Sequence, residues 1–217
     1  MGSEPLGDLA QLVIAGDGEA AKALTAKLIA EGLGAREILD GGLMPGMDTV
    51  GVRMKAGECF IPEVLLSART MQACVELIKP HLAAGETAQR GTIAIGTVEG
   101  DVHDIGKNLV AMMLEGAGFS VVNLGTGVTP AQFVATVTEQ QATVIAMSGL
   151  LTTTIPKMGE TIALLKEAGL RDSVRVMVGG APVTESFAAE IGADAYGANA
   201  AAAVEQAKQL TGTGPVA

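Results

Sequence analysis

The sequence predicts two architectures in tandem. An N-terminal bundle of four helices comes first, followed by an α/β half with a Rossmann-like (flavodoxin-like) five-stranded parallel sheet and flanking helices. Two observations carry this. Up to about residue 83, apolar residues recur at steps of three and four. From residue 91, short apolar runs alternate with helical stretches. Between them, residues 84–90 (AGETAQR) are polar and without period, as a linker would be. The expected domains are therefore 1–83 and 91–217.

In the first half, Leu9, Leu12 and Val13 share one helical face, and Ala20, Leu24, Leu28 and Ile29 share the next. A third pattern runs from about Ala35 to Met54, with interruptions expected at Gly41-Gly42 and Pro45. The fourth is the clearest: Ile61, Val64, Leu65, Ala68, Met71, Val75, Ile78 and Leu82 form a buried stripe. Pro62 falls in its first turn, where the N–H that proline lacks is not needed.

In the second half, residues 92–97, 120–124, 143–147 and 174–178 read as strands, and 194–197 as a short fifth. Ile105, Leu109, Met112 and Met113 mark a helix between the first two. Met158, Ile162 and Leu165 mark another further on. Strand alternating with helix predicts a parallel, doubly wound sheet, whose ligands sit beyond the C-terminal strand ends. Polar and glycine-rich loops fall at those ends: 99–106, 124–127, 148–154 and 179–181.

Composition narrows the function. The net charge is −10, acidic in both halves, and aromatic residues make up only 2% of the chain, so neither a basic face nor a stacking platform for nucleic acid is expected. The two cysteines, Cys59 and Cys74, make no disulfide framework and suit a reducing cytoplasm. No apolar run of membrane-spanning length occurs, so a cytoplasmic protein without a membrane partner is expected.

One of the chain's two histidines stands in GDVHDIGKN, residues 100–108. Four readings compete. His103 could be a bystander beside a helix cap made by Asp104. It could belong to a zinc site, for which only His81, Cys59 and Cys74 offer further soft ligands. The acidic residues could be a phosphoacceptor cluster, although Gly179-Gly180 stands where such a site wants a lysine. Finally, His103 could make one bond to a metal, with Asp101 accepting the other ring N–H. One protein ligand is too few for a bare ion, but suffices for a metal already chelated in a macrocycle.

Asp101-X-His103-X-X-Gly106 resembles the cobalamin-binding motif, and Ser148-X-Leu150 and Gly179-Gly180 match its remaining pieces in order. The string is similar to the cobalamin module of methionine synthase. It is more similar to the corrinoid proteins of methyltransferase systems that demethylate methylamines, methanol, betaines or methoxy-aromatics. Met47-Asp48-X-Val50-Gly51 and Phe60-Ile61-Pro62-Glu63-Val64-X-X-Ser67-Ala68 resemble the helical cap domain of those proteins. The resemblance covers residues 5 to 210.

The resemblance implies a corrinoid cofactor, cobalamin or a relative, that alternates between cob(I)alamin and methylcobalamin. His103 would be the lower cobalt ligand, oriented by Asp101, with Thr154 completing a proton relay. Val102, Asp104, Ile105, Gly106 and Leu150 would belong to the same cofactor site. Ser148 and Thr152 would face the buried nucleotide tail, and Gly125, Gly179, Gly180 and Ala181 would line it. Met54, Ile61 and Val64 would cover the methyl-bearing face, with the 84–90 linker as the hinge. The implied role is a methyl carrier that is not catalytic alone. Its implied partners are a substrate-specific methyltransferase, an acceptor methyltransferase (to tetrahydrofolate or a thiol) and a reductive activation protein. A cobalamin-dependent sensor and the small subunit of a carbon-skeleton mutase are the rival readings. Known light sensors place a tryptophan over the upper face, and this chain has none. The mutase subunits lack the helical cap.

Overall fold

The computed structural model describes residues 3–81 and 90–212. The linker expected at 84–90 lies outside them except for Arg90, as does Leu82. The chain divides into two compact units, Met1–Gln89 with Glu115–Gly118 and Arg90–Leu114 with Phe119–Ala217.

The first unit is helical. Helix α1 (Ser3–Ala15) is followed by α2 (Gly18–Ala30), whose first turn is capped by Asp17, its carboxylate accepting from the Ala20 N–H at 3.1 Å. Helix α5 (Ile61–Ile78) carries Pro62 in its first turn, and Glu63 folds back to accept from the Phe60 N–H at 2.8 Å. Val64, Met71 and Ile78 on α5 are fully buried, as are Leu9 and Val13 on α1.

The third helical pattern differs from expectation. Helix α3 (Ala35–Ile38) runs through a π-helical turn, Leu39–Leu43, into α4 (Met44–Lys55), so Gly41-Gly42 and Pro45 do not break it. The glycines serve close packing instead. A Cβ on Gly41 would lie 2.8 Å from Leu6 Cδ1, and one on Gly46 2.8 Å from the Ala10 carbonyl oxygen. Pro45 follows the π turn at the start of α4, where its missing N–H is tolerated.

The second unit holds five parallel strands: β1 (Thr92–Thr97), β2 (Ser120–Asn123), β3 (Val144–Ser148), β4 (Arg175–Gly179) and β5 (Ala195–Gly197). Their order is β2-β1-β3-β4-β5, the flavodoxin-like arrangement. Helices α6 (Ile105–Gly116), α7 (Pro130–Glu139), α8 (Pro156–Glu167), α9 (Glu185–Ile191) and α10 (Ala200–Leu210) make the connections and the end of the unit. Phe133 of α7 and Met158 of α8 pack with Ile145, Val176 and Val178 in the core on one face. The alternate residues, Ile95, Ala146 and Met177, are aligned across β1, β3 and β4 and share the other face.

Strands β3 and β4 each lie one residue later than the sequence predicts. Ser148 and Gly179 therefore pair with each other as the last rung of the ladder. Gly179 can do so because it packs directly on β5: a Cβ there would lie 2.9 Å from the Gly197 carbonyl oxygen. Among the described residues, no helix is long and apolar enough to cross a membrane.

Candidate cofactor site

The connections from β1 and β3 leave in opposite directions, which opens a crevice at their C-terminal ends. The loop from β1 to α6 runs along it. Gly100 turns the chain with φ +83°, and the Asp101 N–H closes the turn on the Val98 carbonyl at 3.1 Å. The Thr97 hydroxyl donates to the His103 carbonyl at 2.8 Å, fixing the loop's far end.

Asp101 is completely buried, and both its oxygens are used. Oδ1 accepts from the His103 backbone N–H at 3.0 Å and lies 2.8 Å from His103 Nδ1. Oδ2 accepts from the N–H groups of Leu150 at 2.7 Å and Leu151 at 3.2 Å. Burial on its own would raise the carboxyl pKa. The N–H groups of His103 and Leu150, the imidazole and the Leu151 N–H outweigh it and hold the group well below the usual carboxylate range. A carboxylate can only accept, so Nδ1 carries the ring proton. Nε2 is then the basic nitrogen, on a side chain that is half exposed, and it has no hydrogen-bond partner among the described residues.

Substituting asparagine tests this arrangement. Asp101→Asn keeps the shape but sets an NH2 against N–H donors on one side. The expected loss of stability at neutral pH is about 1–3 kcal/mol, the cost of an unsatisfied buried donor, measured by chemical denaturation. Because the folded pKa is depressed, the wild-type advantage exists above the unfolded value of about 3.9. It fades only as the pH falls far below that, through the folded value.

The structure places the other expected residues unevenly. Thr154 is buried and its hydroxyl lies 3.4 Å from Asp101 Oδ2, but it is closer, at 3.0 Å, to the Leu151 carbonyl. One hydroxyl proton goes to the nearer acceptor, so Thr154 chiefly fastens the 151–154 turn. Val102 and Ile105, next to His103 in the loop, and Leu150, whose N–H binds Asp101, are exposed apolar residues. Asp104 is exposed too, and its carboxylate accepts from Asn108 Nδ2 at 3.0 Å. In the helical unit Val64 is fully buried, so it packs the core and offers no surface, whereas Ile61 is 45% exposed and Met54 is half-buried.

A cleft of about 340 Å³ opens on the sheet face that carries Ile95, Ala146 and Met177. Gly106 and Val110 of α6 form one wall, and Ala200 and Ala203 of α10 another. Ser148, Gly179, Gly180 and Ala181 line it. Thr152 does not; it sits exposed in the neighbouring turn. Nor does Gly125, whose φ of +81° makes it a turn residue beside the Asn123 side chain. Gly180 has a second duty, because a Cβ there would run into the Gly149 carbonyl at φ +132°. Its bareness keeps the loops after β3 and β4 together as well as opening the cleft.

Two features escaped the sequence reading. The run Ala198–Ala203 supplies a wall of small side chains, a signal visible only as low bulk before a helix. Lys107 is buried, and its Nζ donates at 2.6 Å to both Asn108 Oδ1 and Asn123 Oδ1, joining the first turn of α6 to the end of β2. Burial lowers its pKa, and nearby Asp104 opposes the shift.

Among the described residues, no three His, Cys, Asp or Glu side chains converge as a metal-ion set. His103 Nε2 thus offers a single bond, which suits a metal carried in its own macrocycle. The cleft between α6 and α10, with glycine and alanine where larger side chains would fill it, suits a bulky tail on such a group. The donor chemistry and the space fit a corrinoid.

Comparison with known proteins agrees with this geometry. Residues 91–205 and residues 6–79 match two family models, each described as a B12 binding domain. The chain is 45% identical over 208 residues to dimethylamine corrinoid protein 1 of Methanosarcina acetivorans, covering 95% of this chain and 97% of that one. Among solved structures it resembles a cobalamin-binding protein from Desulfitobacterium hafniense, with a TM-score of 0.78 and 35% identity over 94% of this chain and 98% of that one. It also resembles a chain of the methanol:cobalamin methyltransferase complex MtaBC from Methanosarcina barkeri. There the TM-score is 0.87 and the identity 29%, covering 98% of this chain and 81% of that one.

Proposed function

The chain belongs to the B12-binding domain family, and from that premise we propose that it is a corrinoid protein that carries a methyl group between two methyltransferases. The observation that carries this reading is the pair Asp101–His103, a locked carboxylate holding Nδ1–H at 2.8 Å so that Nε2 is presented as a single metal ligand. The relatives support the partners. One similar chain comes from a methanol:cobalamin methyltransferase complex and another is named a dimethylamine corrinoid protein, which favours the carrier over the sensor.

When bound, the corrinoid supplies cobalt as the acceptor and donor of the methyl group. The chain's residues do the rest. His103 Nε2 would ligate the metal, and Asp101 would keep the imidazole in one tautomer and one orientation. Away from the metal, Nε2 would be the ring atom to hold a proton, with Nδ1–H kept on Asp101 and Thr154 fastening the turn whose N–H groups hold that carboxylate. Val102, Ile105 and Leu150 give an apolar seat that excludes water. Ser148, Gly179, Gly180 and Ala181 would hold the nucleotide tail in the cleft they line. Met54 and Ile61 are the side chains proposed to shield the methyl-bearing face.

The proposed domains are 1–83 and 91–217, joined by 84–90. The proposed partners are a substrate-specific methyltransferase, an acceptor methyltransferase using tetrahydrofolate or a thiol, and a reductive activation protein. The proposed location is the cytoplasm.

The test is reconstitution. Chain loaded with cobalamin and reduced should gain a methylcobalamin spectrum when mixed with a methylated amine and its methyltransferase, and lose it on addition of an acceptor methyltransferase. Loaded protein that accepts no methyl from any such enzyme, while changing oligomeric state on illumination, would return the sensor reading.

A further inference from the structure

The face of the sheet that forms the cleft has two rows. The upper row, at the strand ends, is Thr97, whose hydroxyl donates to the His103 carbonyl, then Ser148, Gly179 and Gly197. The lower row is Ile95, Ala146 and Met177, aligned across β1, β3 and β4. Gly197 is closed off by Ala203 of α10, which a Cβ there would meet at 3.0 Å, so the opening beside the upper row, through which a flat group can pass, lies over Ser148, Gly179 and Gly180. What such a group meets beyond Ser148 is apolar, because the strand N–H and carbonyl groups there are paired within the parallel ladder.

The polar side chains of the lining are placed elsewhere or already engaged. Lys107 directs Nζ to Asn108 and Asn123. Asn199 Oδ1 accepts from the Ala202 N–H at 2.9 Å as the cap of α10, which leaves its Nδ2 as a donor at the exposed rim of the cleft, two residues beyond β5 and away from the lower row. The Ser148 hydroxyl is therefore the polar side-chain group left to face a ring in the upper row.

Building on the corrinoid reading, we infer that this cleft selects cobamides by their lower base, taking an apolar ring such as 5,6-dimethylbenzimidazole and disfavouring adenine, with Ala146 and Met177 as the residues that set the preference. Both bases are planar bicycles of similar size, so shape alone separates them poorly. Chemistry separates them. The outer edge of dimethylbenzimidazole carries two methyl groups, which match Ala146 and Met177. The six-membered ring of adenine carries an amino donor and ring-nitrogen acceptors, which water satisfies outside the cleft. Inside it they would face methyl and thioether groups and stay unpaired. Losing hydrogen bonds from a buried polar group is the costly direction of such discrimination.

The experiment is equilibrium dialysis of the cofactor-free full-length chain against cobalamin and against the cobamide with adenine as its lower base, with imidazole ligation followed by absorbance. Cobalamin should bind at least about tenfold tighter, a difference of about 1.4 kcal/mol. Met177→Gln, which brings an amide to the lower row, should narrow that ratio at least threefold, while Met177→Leu keeps it. Ala146→Ser, a one-atom change, gives the same reading if glutamine disturbs folding. Equal affinities in the wild type overturn the inference and leave the corrinoid reading standing. A ratio unchanged by both polar variants overturns the assignment to Ala146 and Met177. If neither cobamide binds, the corrinoid reading fails and this inference fails with it.

Discussion

Alanine at His103 abolishes imidazole ligation of cobalt and leaves the cobamide bound. On the proposed reading His103 would contribute one metal bond, whereas the cleft between α6 and α10 would hold the tail independently of it. The loaded variant should therefore show a base-off spectrum at neutral pH, with affinity for cobalamin lowered about tenfold or less, the scale of one interaction worth about 1.4 kcal/mol. Asp101 keeps its bonds to the N–H groups of Leu150 and Leu151, so the loop remains in place and the fold is retained. Added imidazole should restore the ligated spectrum by occupying the vacated space. An imidazole-type spectrum in His103→Ala without added imidazole would sink the assignment of this residue.

The second large effect is expected at Gly180. Valine there brings a Cβ into the Gly149 carbonyl oxygen and demands φ +132° of a β-branched residue. The loops after β3 and β4 must separate, which costs the Gly149 N–H to Gly179 carbonyl bond of 3.1 Å. Beyond narrowing the cleft that Gly180 lines, this is damage to the scaffold. Gly180→Val should lose cobamide binding altogether and lose about 3 kcal/mol or more of stability, the range of strained and overpacked sites. Hydrogen exchange locates the damage: amides of β3 and β4 should exchange faster, and those of α2 and α5 should not. Wild-type binding stoichiometry in the variant would show that the cleft does not need this glycine.

Much of the molecule was legible because local patterns encode it. The stripe on α5 repeats at helical spacing, and the apolar runs between turn residues mark each strand. The helix from Ala35 to Lys55 was read as interrupted because glycine and proline ordinarily punctuate. What overrode them was packing: Leu6 and Ala10 of α1 lie where side chains at Gly41 and Gly46 would stand. Strands β3 and β4 were placed one residue early because Ser148 and Gly179 look like loop residues. Their pairing with each other, and with Thr97 and Gly197 on either side, makes them strand.

The site divides the same way. Asp101, His103 and Gly106 lie within six residues, so spacing alone placed imidazole and carboxylate together. The sequence by itself determined the two architectures, the corrinoid motif and the pairing of His103 with Asp101, because those depend on periods and short-range spacing. The tertiary structure decided the rest. It supplied Asp101 with N–H donors 49 and 50 residues away, which hold the carboxylate ionised. It put Val64 in a core, Thr152 outside the cleft, and Ala203 in its wall. It also decided that Gly180 guards a backbone contact as well as a pocket. These outcomes depend on which atoms meet across the fold, and atoms far apart in the chain meet only once the sheet and its helices have packed.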